Sequence, residues 1–335
     1  MRDVAALAGV SLKTVSRVIN DEPGVTAEVR SRVQQAASRL SYRPNLTASN
    51  LRRASGRTRT VGALLQDVSN SFSSSLLRSL EDGARERGVA ILAASLDEDA
   101  ERERTLVADL VARRVDGLVL MPATDRQDYL LAELRAGLPT VFVDRGPRGV
   151  EADSVTVDNT GGARDATQHL LDHGHTRIAY LGDAARIRTA ADRLAGYRQA
   201  LHEAGLPLSE DLVRSELRTA EAAQEQVRRL LELADPPTAI FAGRNTISIG
   251  AVRALRETGR QRQVALVGFD DFPLADVLEP ALTVVRQDVG RIGASVGDLL
   301  FRRLDGDSAE PRHVVLRPSI VARGSGELPA PAPRR

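Results

Sequence analysis

The sequence predicts two architectures in one chain: a small all-α head at the N-terminus, then an α/β core of two lobes built on parallel sheets. Three observations carry this reading. Two short helical segments separated by Gly9 open the chain. From Thr60 onward, short apolar runs alternate with amphipathic helical stretches, the pattern of βαβ units with strands buried on both faces. The 335 residues are also more than one hydrophobic core usually organises, so several domains are expected.

In the head, residues 2–8, "RDVAALA", predict a short helix with Val4 and Leu7 on one face. Gly9 ends it. Ser11 is a good N-cap for a second helix that runs to Asn20. Val15, Val18 and Ile19 turn that helix toward its neighbours and leave Leu12, Lys13, Ser16 and Arg17 facing outward. Two short helices joined by a tight glycine-bearing turn make a helix-turn-helix. After the turn-rich "NDEPGVT", Thr26 caps a third helix in which Val29, Val33, Ala36, Ala37 and Leu40 recur at helical spacing. Pro44 then opens "NLTASNLRR", enough for two helical turns. Nucleation is too costly for so short a helix to stand alone, so it is expected to be helical only when held.

The core runs are "TVGALLQDV", "VAILAASL", "VDGLVLMPA", "PTVFVD", "RIAYLGD", "PTAIFAG", "VALVGFDD", "TVVRQD" and "HVVLRPSIV". They are too many for one comfortable sheet, hence two lobes. The end, "GELPAPAPRR", shows no apolar periodicity, and residues 325–335 are read as a disordered tail.

Charge is unevenly spread. From Met1 to Thr60, eleven Arg/Lys stand against four Asp/Glu, a balance of +7, while the remaining 35 against 41 give −6. A basic head on a mildly acidic body suits a nucleic-acid-binding module carried by a larger sensor or enzyme. The absence of cysteine excludes disulfides, zinc-thiolate sites and cysteine nucleophiles. No apolar run is long enough to span a bilayer and no secretory leader opens the chain, so a cytoplasmic, nucleoid-associated protein without membrane partners is expected. In "QHLLDHGH", His169 and His173 have a spacing that zinc accepts, with His175 close by. No glutamate base accompanies them as in HExxH, and the GxGxxG and GxxxxGK[ST] patterns are absent. The chain is therefore not read as an enzyme, and no catalytic residue, cofactor or metal is assigned.

The whole chain resembles the LacI/GalR (lactose-repressor) family of bacterial transcriptional regulators. "DVAALAGVSLKTVSRVIN" is close to that family's helix-turn-helix signature and "SYRPNLTASNLRR" matches its hinge. "RRVDGLVLMPA", "LPTVFVDR", "VTVDNTGGARDATQHLLDHGHTRIAYLGD", "DRLAGYRQAL", "VALVGFDDFPLADVLEPALTVVRQD" and "ARGS" follow in the family's order. The resemblance implies a DNA-binding head over 1–43, a hinge helix and linker over 44–59, and an effector-binding, dimerising core over 60–324. That core is like periplasmic sugar-binding proteins, with lobe crossings near Val157–Asn159, Arg286–Asp288 and Leu316–Ser319. It implies that Leu12, Lys13 and Arg17 read bases in the major groove. Ser11, Thr14 and Asn20 would hold phosphates, with Ser16 on the same outward face. Leu51 would wedge into the minor groove, with Asn45, Ala48 and Arg52 beside it.

The family usually carries a few more residues before the first helix, with a threonine cap. Here Met1 stands at an apolar helix-opening position, so a start further upstream, or fraying of Met1–Asp3, is expected. In the core, Asp67, Asp144, Asn245 and Asp270 lie at strand C-termini, where α/β lobes form ligand crevices. The resemblance adds Arg193, which would clamp ligand hydroxyls or carboxylates, and Phe72. Two departures bear on the ligand: Thr246 replaces a usual aspartate, and Arg218 stands where a stacking aromatic is common. Together they suggest an acidic effector, such as a sugar phosphate or sugar acid. The expected function is a repressor of a carbohydrate-use operon. It would bind a palindromic operator as a homodimer, released or engaged by a small sugar-like effector. The tail carries no heptads that would build a tetramer. The alternative is a small-molecule-binding protein with vestigial DNA binding.

Overall fold

The computed structural model describes residues 1–19, 22–42 and 57–332. Asn20 and the hinge positions Asn45, Ala48, Leu51 and Arg52 lie outside the described residues. The chain divides into two compact units, residues 1–59 and 60–335.

The head unit has three helices: α1 (Arg2–Ala8), α2 (Leu12–Ile19) and α3 (Ala27–Arg39). No side chain caps α1, whose N-cap is Met1. Gly9 closes it at φ 62, a left-handed turn that a Cβ disfavours, with its N–H turned to the Ala5 and Ala6 carbonyls. Ser11 Oγ accepts from Thr14 N–H at 3.1 Å and so caps α2. Thr26 does the same for α3 through Val29 N–H. The core is Val4, Ala5, Ala8, Val15, Val18, Val33 and Ala36, with Ile19, Val29 and Tyr42 packed at its margin. Leu7 and Leu40 do not join it: they are 49% and 44% exposed. In α1 the inward arc is centred on Val4, Ala5 and Ala8, and Leu7, about 110° from that centre, falls at its rim. Leu40 is the C-cap of α3, past its last turn.

The second unit contains two six-stranded sheets of the same winding. The first uses β1 (Thr60–Leu65), β2 (Ala90–Ser95), β3 (Gly117–Leu120), β4 (Thr140–Asp144), β5 (Asp153–Val157) and β11 (His313–Leu316). Their order is β11-β5-β4-β3-β1-β2, all parallel. The second uses β6 (Ile178–Leu181), β7 (Val213–Arg214), β8 (Ala239–Ala242), β9 (Ala265–Phe269), β10 (Thr283–Arg286) and β12 (Ser319–Val321). Its order is β12-β10-β9-β8-β6-β7, parallel except for antiparallel β12. Two strands, β5 and β7, fall outside the nine apolar runs: "DSVTV" mixes polar and apolar residues, and β7 has only two residues. The run "HVVLRPSIV" is two strands, one in each sheet.

Helices α4 (Ser71–Glu86), α5 (Ala100–Ala112), α6 (Leu131–Arg135) and α11 (Val289–Leu304) belong to the first lobe. Leu76, Leu80, Val296 and Leu300 seal one sheet face, and Val107 and Leu110 the other. Helices α7 (Asn159–Asp172), α8 (Arg188–Glu203), α9 (Ala220–Leu231) and α10 (Asn245–Glu257) flank the second sheet. Glycine sets their spacing: a Cβ at Gly196 would stand 2.2 Å from the Thr160 carbonyl oxygen, and one at Gly250 2.2 Å from that of Ala220. The chain passes between lobes three times, after β5 at Val157, after β10 at Arg286 and after β11 at Leu316.

The expectation of a disordered tail is corrected over residues 325–332. Ser325 is buried, donates its hydroxyl to Leu266 O and accepts from Thr283 N–H. Glu327 accepts from Thr283 Oγ1 and Gly324 N–H, and Ala330 N–H bonds to His173 O. Order here comes from these polar bonds and from Leu328, which packs against the core of the second lobe; a single apolar contact and side-chain bonds leave no apolar periodicity to read.

Candidate functional site

The head presents α2 as an outward face. Val15 and Val18 are buried, whereas Leu12 is 46% exposed and Ser11, Lys13, Thr14 and Arg17 lie on the surface side. Arg17 has Glu22 at 3.9 Å, with both side chains about half exposed. Ser11 and Thr14 share a hydroxyl bond of 2.9 Å. A short helix with a basic, hydroxyl-rich outer face has the dimensions of a major-groove reader.

In the core unit, the strand C-termini of the two lobes face one crevice of about 70 Å³. Six of the residues singled out from sequence line it: Asp67, Phe72, Asp144, Arg193, Asn245 and Asp270. Asp144 ends β4 at φ 67 and Asp270 follows β9 at φ 71. These are corresponding places in the two sheets, and aspartate is among the few residues that tolerate the left-handed region. Burial pushes the Asp144 carboxyl up, against the lowering pull of Arg145 and Arg193.

Arg193 is spent inside the crevice wall. Its Nε donates to Asn159 Oδ1 at 2.8 Å and its Nη1 to Gly243 O at 2.8 Å and Asp270 Oδ2 at 3.4 Å. The guanidinium also lies 3.7 Å from the centre of the Phe269 ring, a cation–π contact. Gln287 Nε2 holds the other oxygen of Asp270 at 2.6 Å. Asn245, on α10, reaches across to the first lobe and exchanges amide bonds with Asn70 at 2.9 and 3.1 Å and with Ser71 Oγ at 3.0 Å. Asp67 folds back on its own turn, accepting from Ser69 N–H and Oγ.

Two expected residues are not in the crevice. Thr246 N–H and Oγ1 both donate to Asn245 Oδ1 at the start of α10. Arg218 is at the surface, with Nη2 donating to Asp97 O at 3.2 Å. Residues that the sequence reading missed complete the lining. Arg145 grips Glu98, with Nη1 donating to Oε2 at 2.8 Å and also to Pro122 O at 2.8 Å. Arg244 Nη1 donates to Asp183 Oδ2. Arg145 Nε and Gln287 Oε1 are buried without a hydrogen-bond partner. Arg145 was within reach of sequence reasoning, as it follows Asp144 at the same strand end. Asp183 was equally within reach, closing the run "RIAYLGD" two residues past β6 as Asp67 stands two residues past β1; Glu98 gave no comparable signal.

The three histidines have structural partners: His169 bonds Glu327, His173 the His169 carbonyl, and His175 both Thr238 Oγ1 and Leu328 O. Among the described residues no group of three His, Cys, Asp or Glu is placed to hold a metal ion. No described helix is long and apolar enough to cross a membrane.

Comparison with known proteins follows the same division. Residues 1–45 match the bacterial regulatory proteins of the lacI family, and residues 167–326 match the periplasmic binding protein-like domain. Catabolite control protein A of Priestia megaterium is 32% identical over 326 residues, 96% of this chain and 98% of that protein. The ribose operon repressor of Escherichia coli (strain K12) is 32% identical over 328 residues, 97% of this chain and 99% of that protein. Among solved structures, the lac repressor dimer bound to operator and the anti-inducer ONPF has a TM-score of 0.85 at 27% identity, covering 97% of this chain and 98% of that one. The complex of the transcriptional regulator CelR with cellobiose has a TM-score of 0.71 at 34% identity, with the same coverage. Similar to these proteins over almost all of its sequence, the chain belongs to the lacI family of bacterial regulatory proteins, as a DNA-binding transcriptional repressor with a periplasmic-binding-protein-like core.

Proposed function

We propose that the chain represses a carbohydrate-use operon in the cytoplasm, binding a near-palindromic operator as a homodimer and changing its DNA affinity when a small polyhydroxylated effector enters the crevice. The observation that carries this reading is the outward basic face of α2 over a closed apolar core. On this reading Arg17, Lys13 and Leu12 contact base edges, Ser11, Thr14 and Asn20 hold phosphates, and Ser16 sits between them. Asn45, Ala48, Leu51 and Arg52 serve the hinge, with Leu51 in the minor groove. Two heads reading two half-sites require a two-fold dimer. The named partners of relatives, cellobiose for CelR and the ribose operon for the E. coli repressor, favour a carbohydrate effector. The chain thereby acts as a regulator, not as an enzyme.

An acidic effector, expected from Arg218 and Thr246, is not retained. Both residues lie outside the crevice lining, and each guanidinium inside faces a carboxylate of this chain. Coupling to DNA rests on the cross-lobe bonds of Asn245 with Asn70 and Ser71. An effector that widens the crevice of about 70 Å³ works against these cross-lobe bonds. An effector shifts the protein only by its differential affinity for the two lobe arrangements.

The test is fluorescence anisotropy of the full chain with duplexes selected from a random pool, across a salt series, with light scattering on the complex. The expected result is an inverted-repeat consensus, two chains per duplex, and affinity that falls steeply with salt as phosphate counterions are released. Salt-independent binding, or a consensus without inverted symmetry, overturns the proposal.

A further inference from the structure

The charges of the crevice do not balance. Eight ionisable side chains line it: Asp67, Glu98, Asp144, Asp183 and Asp270 against Arg145, Arg193 and Arg244. Arg244 pairs with Asp183, Arg193 with Asp270 at 3.4 Å, and Arg145 with Glu98. Asp144 shares Arg145 at 3.6 Å, and Asp67 has only the hydrogen bonds of its own turn. On one side of the rim the arginines are paired, Arg148 with Asp125, Arg186 with Glu216 and Arg188 with Asp192; on the other, an adjoining hollow that shares Phe72, Asp270 and Gln287 holds Arg286, Arg291 and Arg317 with Asp271 and Asp288, outside the crevice lining itself. Five carboxylates against three guanidiniums leave an excess of two negative charges in a narrow, low-dielectric slot, which focuses the potential at the ligand position.

The unmet hydrogen-bonding capacity points the same way. The Asp144 side chain is 9% exposed, with Arg145 at 3.6 Å as the partner of its carboxylate. Gln287 Oε1 is a buried acceptor without a donor. The one orphan donor, Arg145 Nε, is the atom that faces the Asp144 carboxylate at 3.6 Å, beyond hydrogen-bond length. A bound molecule that completes the site brings several N–H or O–H donors and positive charge. An ammonium group has three donors and no acceptor.

We propose that the effector of this crevice is an amine-bearing polyol, of the amino-sugar class, whose ammonium group is held by Asp144. This rests on the reading of the core as an effector sensor and names the class of effector. A buried carboxylate sharing an arginine with another acid lacks half its complement until a cation arrives. Charge-assisted N–H···O bonds are about twice as strong as neutral ones, so Asp144 separates an amine from its hydroxyl counterpart. The raised Asp144 carboxyl gives the pairing a pH signature. The amine binds the ionised form, so its affinity rises with pH through the Asp144 titration and falls again as the amine itself loses its proton.

The experiment uses the full chain in an amine-free buffer. Glucosamine, galactosamine and mannosamine are each compared with the parent hexose and with its uronic acid, by thermal shift and titration calorimetry at neutral pH. An amine is expected to bind about tenfold more tightly than its neutral parent, with the acid weakest. In Asp144→Asn, whose side chain also tolerates the left-handed backbone, the amine preference is lost while the cooperative unfolding transition remains. The wild-type pH profile gives a second reading that needs no variant. Equal or tighter binding of a neutral sugar or an acid overturns the proposal, as does a set of amines that neither stabilises nor binds the wild-type chain. Operator binding, measured in parallel, separates the outcomes: if it persists while the amines fail, the effector class is wrong and the repressor reading stands.

Discussion

Arginine has opposite fates in the two units of this molecule. Arg17 stands on the outer face of α2, 43% exposed, with one acid 3.9 Å away. Arg193 is 7% exposed and bonded to Asn159, Gly243 O and Asp270 over the ring of Phe269. The first guanidinium is available to a partner and the second is consumed by the fold. A basic residue at a candidate site is therefore no guide to the charge of what binds there until its neighbours are counted. In the head the surplus is positive and outward, which suits phosphates. In the crevice the surplus is negative, because every arginine there is already matched.

The largest expected effect comes from removing the consumed arginine. Arg193→Ala leaves Asp270 buried with Gln287 alone, and breaking a buried pair from one side costs about 3–5 kcal/mol. Urea unfolding of the core should register it, whereas a loss below about 1 kcal/mol would show that Arg193 is held for a ligand instead. Next comes the available arginine. Arg17→Ala should weaken operator binding by about 1–3 kcal/mol, roughly 5- to 150-fold, with unfolding unchanged. If its stability fell as far as that of Arg193→Ala, the contrast between the two residues would collapse.

The same contrast explains what could be read from sequence. The head was legible because its signals are local: the glycine turn, the Ser11 and Thr26 caps and the spacing of Val15 and Val18 all act within a few residues. The strand ends that carry Asp67, Asp144, Asn245 and Asp270 were legible for the same reason. The partners were not. Glu98 and Arg145 are 47 positions apart, and Asp183 and Arg244 are 61, and no local pattern records a pairing over such distances. The segment after Arg323 was misread in the same way: its hydrogen bonds go to Leu266, Thr283 and His173, far back along the chain.

A smaller effect separates the two kinds of acid in the crevice. Burial raises the Asp144 carboxyl above its unfolded value of about 3.9. The folded chain then holds the proton more tightly than the unfolded one. Its contribution to stability is complete below the unfolded value and is lost as pH rises through the folded one. Above the folded value the ionised side chain is a cost, so there Asp144→Asn should stabilise the core by about 1 kcal/mol, with the gain vanishing in acid. Differential scanning calorimetry across pH checks the sign. A variant destabilised in that range would mean that the Arg145 pair at 3.6 Å outweighs desolvation.

The smallest expected effect falls on Arg218, the residue that most suggested an acidic effector. Its guanidinium is at the surface and reaches a backbone carbonyl of the other lobe at 3.2 Å. Water replaces such a bond readily, and exposed substitutions usually stay within about 0.5 kcal/mol. Arg218→Ala should therefore leave unfolding nearly unchanged and shift the affinity for the amine probes less than about twofold. A large loss of affinity would sharpen the comparison differently. It would make Arg218 a fourth guanidinium at the ligand, reduce the surplus of carboxylates to one, and return the crevice toward the acid-binding character that its pairing now opposes.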